Sequence, residues 1–289
     1  MITTLQRLPG NTIEIILTLP WDKIKISYDK IVEKSLAEIE LSGFRKGKAP
    51  RELALKQIDK NKVFEKVVQE LLPEAYAESI SQNELKPIIN PHIHLLDAEE
   101  GKDWKVKAVT CEKPAIEVGD YKGAVNRAKA TKANKIWLPT DPKKPEEKKD
   151  QELTVGETLD AIYLAVKVDI SPILVEQEVN RSLSNLISET QKLGLTIEQY
   201  LQAQGKTSEQ LRKEHQIQAQ KTLTLEFALE EIAEKEKVVV SDKEIEAVLQ
   251  NAKSEDEKKA LTQNRYFITS LLRRQKTLSV LAQSGIVKV

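Results

Sequence analysis

Side chains that could bind a metal or catalyse a reaction are few in this sequence. The chain has three histidines and a single cysteine. His92 and His94 stand two residues apart in an extended pattern, which would place both rings on one face of a strand and could pair them on a metal. No cysteine completes such a site, and Asp97 and Glu99 are only loosely placed as further ligands. Solvated strand histidines fit this pattern better than a metal site.

Nucleophilic catalysis has equally little support. Cys111 has no histidine in local register that would lower its pKa, so we expect a half-buried strand residue instead of a nucleophile. His215 stands among Glu214 and glutamines on a predicted helix and is expected to be exposed. The sequence has no glycine-rich phosphate loop, no Gly-x-Ser-x-Gly elbow and no zinc-protease helix motif. It therefore predicts no catalytic site, no metal and no cofactor.

Positive charge is concentrated in a short loop predicted between two helices, residues 42–50. From Gly43 to Arg51 there are four basic residues and no acid, and Phe44 lies between two glycines. An apolar ring and cations held on such a backbone suit an anionic partner such as RNA. The alternative is an ordinary solvated turn with Phe44 buried. The basic residues are Arg45, Lys46, Lys48 and Arg51.

Length and composition indicate two domains without membrane or export signals. The 289 residues are 40% hydrophobic, enough for a core in each domain, and 45 basic residues balance 45 acidic ones. Any nucleic-acid contact must therefore come from a local patch. The single cysteine fits a reducing compartment, and no stretch approaches the ~18 apolar residues that span a bilayer. We expect a cytoplasmic protein.

The first third of the sequence predicts a small sheet with helices on one side. Thr12–Leu19 is β-branched and partly alternating, which is typical of a strand with Ile13, Ile15 and Leu17 on one face, and Pro20 ends it. We expect an α+β domain with an antiparallel sheet over residues 1–113. Its other predicted elements are helices at 23–41, 51–58 and 63–81, with Pro50 at a first helical position, strands at 88–96 and 104–111, and a hairpin turn at 97–103.

Residues 114–152 are expected to form a linker. The middle of this segment, Pro139–Asp150, is proline-rich and charged, and it is too short and polar to bury a core. Trp137 belongs to an apolar island beside it. We expect Trp137 to dock the linker on the following helices, with contact to an unfolded chain as the alternative.

Residues 153–289 are predicted to be nearly all helical. Ser171 and Pro172 mark a helix start, and Gly194 marks its end. The helices have short connections and show no repeat period. This pattern favours an elongated domain with helical arms over a compact bundle. Further helices are expected between Thr196 and Gly205, over 208–236 with Ile217 on its apolar stripe, from Ser241 to about 252, and over 257–284.

The basic loop resembles the signature Gly-Phe-Arg-x-Gly-Lys-x-Pro of the trigger factor family, the ribosome-associated chaperones of bacteria. Every fixed position of that signature is matched, and the order of the surrounding elements also agrees. The resemblance implies that Phe44-Arg45-Lys46 contacts the ribosome beside the nascent-chain exit. The residues it assigns to ribosome binding are Gly43, Phe44, Arg45, Lys46, Gly47, Lys48 and Pro50.

The chain departs from the family pattern in its middle. Most trigger factors hold an FKBP-like prolyl isomerase domain of about a hundred residues there, whereas here only residues 124–152 stand before the C-terminal helices. The resemblance implies an isomerase-less, ATP-independent chaperone whose partners are the ribosome, through protein and rRNA at the exit site, and nascent or unfolded polypeptides. Self-association is left open. The alternatives are a prolyl isomerase and a helical holdase that does not bind ribosomes.

Overall fold

The computed structural model describes residues 2–39, 44, 50–133, 153–250, 262 and 264–284. The chain divides into two compact units. The first comprises residues 1–113 together with 171–174, and the second comprises residues 114–170 and 175–289. A small antiparallel sheet with helices is thus followed by a largely helical region, as the sequence predicts.

The first unit contains a four-stranded antiparallel sheet with strand order β1-β2-β4-β3. Helices α1 and α3 contact each other, and α3 packs on strand β2. The elements are β1 (Ile2–Leu8), β2 (Thr12–Leu19), α1 (Trp21–Glu38), α2 (Arg51–Gln57), α3 (Lys60–Gln82), β3 (His92–Asp97) and β4 (Trp104–Cys111).

Alternation in β2 builds the core of this unit, because side chains two residues apart share one face of the sheet. Ile13, Ile15 and Leu17 are fully buried, as predicted. They lie on the same face as Trp104 of the neighbouring strand, whose indole is met edge-on by the Phe64 ring at a centroid distance of 4.9 Å. One apolar face of the sheet and the helices that cover it therefore form a single core.

Strand β1 is absent from the sequence-based prediction. It pairs with β2 through a tight turn in which Gly10 and Asn11 both have positive φ, 69° and 54°. Glycine and asparagine are the residues that adopt this conformation most readily, and such a turn matches the twist of two antiparallel strands. The Pro9-Gly10-Asn11 sequence was the available signal for this hairpin.

Strand β3 begins four residues later than the predicted strand 88–96. Residues 88–91 include Pro91, and a proline has no N–H to donate to a strand ladder. An isolated bridge joins Pro87 to Glu112 instead. The regular strand therefore starts at His92, immediately after Pro91.

The second unit is built mainly of helices, and its short sheet is the pair β5–β6. Thr196 and Thr207 each cap a helix through a reciprocal bond with the residue three positions on, and Gly205 ends α7 with φ 64°. The elements are β5 (Ile116–Glu117), α4 (Tyr121–Ala133), α5 (Val155–Ala165), β6 (Lys167–Val168), α6 (Pro172–Lys192), α7 (Ile197–Gln204), α8 (Ser208–Lys235), α9 (Asp242–Gln250) and α10 (Arg265–Ser284).

The prediction of a linker over residues 114–152 is wrong for its first half. Val118, Tyr121 and Val125 are buried and pack with α5, α8 and α10 in the core of the second unit. Burial of three large apolar side chains gives this stretch a fixed place in the core. Trp137 and Pro139–Asp150 lie outside the described residues, as does the first part of the predicted helix 257–284.

Two further expectations in the second unit differ from the structure. Ile217 was placed on the apolar stripe of α8 but is exposed. His215 was expected to be exposed but is half-buried, and its Nδ1 lies 2.8 Å from the hydroxyl oxygen of Ser182. Both residues stand near the middle of α8, where the buried stripe follows Leu211, Ala219 and Leu223.

Candidate functional site

The basic loop lies between two well-formed helix ends. Helix α1 ends at Glu38, and the N–H of Ile39 donates to the Ser35 carbonyl at 3.0 Å. Pro50 stands just before the first residue of α2, one position earlier than predicted, and its carbonyl accepts from the N–H groups of Leu53 and Ala54 at 3.0 and 3.1 Å. The two helices thereby fix where the loop starts and ends.

Phe44 is the described aromatic side chain of this loop, and it is 44% exposed. The alternative of an ordinary turn with Phe44 buried therefore does not hold. Exposure of a phenylalanine ring to water is unfavourable, and contact with a binding partner would remove the ring from water. The other residues assigned to ribosome binding, except Pro50, lie outside the described residues: Gly43, Arg45, Lys46, Gly47 and Lys48.

Arg51, at the start of α2, has an acidic partner. Its guanidinium lies 2.6 Å from a carboxylate oxygen of Glu33, and both side chains are more than half exposed. Exposed ion pairs of this kind contribute little to stability, about 0–1 kcal/mol. The contact does join α1 to α2 beside the loop. Leu53 and Leu55 on α2 are also exposed.

A leucine-lined cleft of about 880 Å³ opens between α5, α8 and α10 in the second unit. This volume lies in the range of ligand-binding clefts in proteins. The leucines that line it come from all three helices and from the residue before Thr154. They are Leu153, Leu159, Leu225, Leu229, Leu271 and Leu278.

Two ion pairs stand among the residues that line the cleft. Lys221 Nζ lies 2.6 Å from a carboxylate oxygen of Asp160, and Arg274 pairs with Glu226. Each of these four side chains is at least one-third exposed. The cleft therefore combines an aliphatic floor with charges of both signs that remain in contact with water.

The exposed start of helix α10 carries further apolar side chains. Tyr266 is 87% exposed, and Phe267 and Leu271 are more than half exposed. Arg265, at the first position of this helix, pairs with Asp242 at 2.6 Å. Apolar side chains in this position are available for contact with another polypeptide.

The candidates for metal binding and catalysis do not form a site. His92 is half-buried and His94 is exposed on β3, and the described residues contain no group of three side chains that could hold a metal ion. Cys111 is fully buried, not half-buried as predicted, and burial raises the pKa of its thiol, while the Ser171 hydroxyl lowers it less. A thiol with a raised pKa is a poor nucleophile at neutral pH.

The cleft was not found from the sequence. All of its leucines except Leu153 lie on helices that also supply core residues, so spacing alone does not separate a wall of an open cleft from a buried face.

Fold and site together define a protein with a small α+β domain that carries the exposed Phe44, followed by a helical domain with a leucine-lined cleft and exposed apolar side chains. Comparison with known families agrees with this organisation. The family model described as "Bacterial trigger factor protein (TF)" matches residues 1–136, and that described as "Bacterial trigger factor protein (TF) C-terminus" matches residues 143–283. The chain belongs to the trigger factor family.

Curated relatives match the N-terminal part of the chain. A trigger factor of Staphylococcus epidermidis (strain ATCC 35984) is 33% identical over 123 residues, and one of Staphylococcus aureus (strain JH9) is 32% identical over the same length. These matches cover 43% of this chain and 28% of each relative. The aligned region is therefore well under a third of the relatives' length.

A solved structure of the trigger factor chaperone, described for promiscuous substrate recognition in folding and assembly activities, shares the fold. Its TM-score is 0.61, and the match covers 99% of this chain and 100% of that one at 12% sequence identity. The likeness extends over both units, whereas identity at this level supports the fold alone.

Proposed function

We propose that this protein is a ribosome-associated chaperone that docks near the polypeptide exit and binds nascent or unfolded chains, preventing their aggregation. The observation that carries the proposal is the exposed Phe44 in a loop that matches the family signature at every fixed position. The loop also supplies three cations, Arg45, Lys46 and Lys48, with no acid among its residues. Such a patch suits rRNA and a protein surface together.

The second unit would hold the unfolded chain. Its leucine-lined cleft and the exposed residues at the start of α10 offer apolar contact without a closed pocket. Contacts of this kind are individually weak, and docking at the ribosome would raise the effective concentration of each emerging chain. The mechanism is reversible binding in the cytoplasm, with no cofactor.

We propose no prolyl isomerase activity. The two family models leave only residues 137–142 between them, far fewer than the about 100 residues of an ordinary small domain. A protease-coupled assay on a proline-containing peptide checks this expectation. Acceleration that disappears on a point substitution in this chain would contradict it.

Ribosome co-sedimentation tests the proposed function. The triple variant Phe44→Ala, Arg45→Ala, Lys46→Ala should lose binding by about tenfold or more, because it removes the exposed ring and two phosphate-directed charges. Its circular dichroism and thermal unfolding should match the wild type, since Phe44 makes no contribution to the buried core. Binding of the wild type should weaken as salt concentration rises.

A matched control replaces exposed residues of similar type elsewhere in the first unit. The variant Ile26→Ala, Lys25→Ala removes an apolar and a basic side chain from α1 and should bind ribosomes like the wild type. If the folded loop variant co-sediments unchanged, the assignment of the loop is wrong. If the wild type itself does not co-sediment with ribosomes but suppresses aggregation, the holdase that does not bind ribosomes becomes the better description.

A further inference from the structure

The two edges of the four-stranded sheet differ in how they are protected. Edge strand β1 exposes polar side chains, including Gln6 and Arg7, and Arg7 pairs with Glu112 at 2.9 Å. Edge strand β3 has β4 on one side and, among the described residues, no strand on the other. Proteins usually place charged residues or proline on a free edge, because its unpaired N–H and C=O groups can pair with another strand. The segment His92–Leu96 contains no lysine, arginine, acid or proline.

One face of β3 continues the apolar face of the sheet. Ile93 stands opposite Ala108 and Leu95 stands opposite Val106, and both of these β4 residues are fully buried. Residues directly opposite each other share a face of the sheet. The apolar face that the helices cover over β2 and β4 therefore extends to β3, where Ile93 is 37% and Leu95 is 44% exposed.

The other face of β3 is polar. His92 and His94 lie on this face, because alternate residues of a strand point to the same side. On β4, Lys107 stands opposite His94, and its ammonium lies 3.1 Å from a carboxylate oxygen of Glu14 on β2. A further strand placed beside β3 would therefore have an apolar neighbour on one face and a polar neighbour on the other.

We propose that β3 binds an extended segment of an unfolded polypeptide, which joins the sheet as an added strand. This inference rests on the proposed chaperone function and specifies the conformation in which one part of the unfolded chain is bound. The segment that fits has apolar residues at every second position, where they contact Ile93 and Leu95. Polar residues lie between them, on the face of His94.

The free backbone of β3 determines the conformation of this partner. An extended chain presents N–H and C=O groups at the spacing that an edge strand leaves unpaired, whereas a helix already satisfies its own groups internally. Hydrogen bonds between backbones do not depend on sequence, while contacts with alternate side chains select an apolar pattern. The edge therefore suits a partner that varies in sequence but keeps an alternating pattern.

The site is short, so its affinity should be low. Pro91 directly precedes β3, and the register is irregular between Leu95 and Asp97, which limits the regular pairing to His92–Leu95. A chain that has folded has paired its own apolar strands and buried them in its core. The edge should therefore bind unfolded chains and release them as they fold.

Backbone methylation of a peptide tests strand addition directly. The probe is a fluorescein-labelled peptide of about ten residues that alternates valine and threonine, and fluorescence anisotropy measures its binding to the full chain. Successive N–H groups of a strand point to opposite edges, so methylation of the valine nitrogens blocks one edge and methylation of the threonine nitrogens blocks the other. One methylated peptide should bind about tenfold or more weakly than the parent, and the other should bind like the parent.

The comparison between the two methylated peptides decides the outcome. If both bind like the parent, side chains alone make the contact and strand addition is wrong. If both bind equally weakly, the peptide is not paired through a single edge, and strand addition at β3 is wrong as well.

A substitution in the protein tests whether the peptide binds at β3. Leu95→Glu should weaken binding of the parent peptide by about tenfold or more, because a carboxylate would enter the apolar face. Its thermal unfolding should stay close to that of the wild type, since Leu95 is partly exposed. The control Ile26→Glu introduces the same charge on α1, where the isoleucine is 72% exposed, and should bind like the wild type. Unchanged binding by Leu95→Glu would overturn the proposal.

Disulfide formation tests the assignment of the two faces. On mild oxidation, Leu95→Cys should cross-link to a peptide with cysteine in place of a central valine, and His94→Cys to one with cysteine in place of the next threonine. The exchanged pairs should react at least about fivefold more slowly, because their side chains lie on opposite faces. The wild type is the background, since Cys111 is fully buried. Equal rates for matched and exchanged pairs would contradict the proposed arrangement.

The outcome of these tests is separate from that of the proposed function. Failure of strand addition would appear as a chain that co-sediments with ribosomes and suppresses aggregation but does not bind the peptide through β3. Failure of the proposed function would instead appear as a wild type that neither co-sediments with ribosomes nor suppresses aggregation.

Discussion

Three aromatic side chains of the first unit pack together in its core, whereas two adjacent ones in the second unit lie on its surface. In the first unit, Trp104 is fully buried and stands against Phe64, which in turn lies 5.9 Å from the ring of Tyr28. In the second unit, Tyr266 and Phe267 are both largely exposed. An aromatic cluster thus stabilises the first core, while the second unit, whose core contains Tyr121, also keeps two aromatic rings at its surface.

Under the proposed function, the packed core supports the ribosome-binding loop and the exposed side chains of the second unit contact the unfolded chain. A loop can present Phe44 at a fixed place only if the helices that flank it are held by a well-packed core. A surface that binds many unfolded sequences needs exposed apolar groups instead, although their exposure to water is unfavourable. Substitutions in the two units should therefore have different consequences.

The largest effect is expected from the aromatic core of the first unit. Trp104→Ala should destabilise this unit by about 3–5 kcal/mol, because it leaves a cavity beside Phe64. With Trp137 replaced by Phe in both proteins, the remaining tryptophans belong to the first unit, so denaturant unfolding followed by tryptophan fluorescence measures the loss, and the helical circular dichroism of the second unit should change little. The control Ile26→Ala removes an exposed side chain and should stay within about 0.5 kcal/mol of the wild type. Equal loss in both units would break the contrast.

A smaller and cumulative effect is expected at the start of α10. The triple variant Tyr266→Ser, Phe267→Ser, Leu271→Ser should reduce suppression of aggregation by about fivefold, whereas each single change should have less than about a twofold effect, since many weak contacts act together. Light scattering of a denatured substrate is the measurement. Thermal unfolding should change little because these side chains are exposed.

An equally exposed apolar residue outside this surface provides the control. Ile26→Ser in α1 should leave suppression of aggregation unchanged. A single substitution that abolishes protection would show one dominant site and would contradict the view of the second unit as a dispersed contact surface.

The smallest effect is expected from removing the charge of Glu244, an exposed residue of the second unit. Lys276, at 2.8 Å, and the N–H of Ser241 lower the pKa of Glu244 to about 2. A carboxyl whose pKa is lowered by folding stabilises the protein above its ordinary pKa, and that contribution is lost as the pH falls toward 2. Glu244→Gln should lower the melting temperature at pH 7 by at most about 2 °C, since the group is exposed.

The pH series gives the sign of this effect. The difference between the wild type and Glu244→Gln should be constant from pH 7 to about 5 and should shrink between 4.5 and 3. Glu246→Gln on the same helix is the matched control and should show no such trend. A difference that grows on acidification would contradict the assigned ion pair.

Local patterns were enough to predict most helices and the strands of the central sheet. Thr12–Leu19 has the predicted bounds because β-branched alternation and Pro20 agree, and Thr196 and Gly205 bracket α7 as expected. The sequence does not predict that residues 116–133 belong to the core of the second unit. Most of their side chains are polar, as in a linker, and only the tertiary contacts show that Val118, Tyr121 and Val125 are buried.

The candidate site was predictable to a lesser degree. Phe44 could be assigned from its motif, and its exposure agrees with a binding role. The cleft could not, because its leucines come from three helices that are far apart in sequence, and their juxtaposition depends on packing. The exposure of the apolar side chains of β3 likewise depends on how the helices pack on the complete sheet, and sequence spacing does not predict it.

The position where α4 ends and α5 begins has an evolutionary consequence. Lys132 Nζ lies 2.9 Å from a carboxylate oxygen of Glu157, and the two helices pack together, so the end of α4 and the start of α5 are neighbours in space. The length of sequence between such points can change at little thermodynamic expense, since each doubling of a flexible loop costs only about 0.6 kcal/mol. Whole domains can therefore be gained or lost at this place during evolution while both cores stay intact.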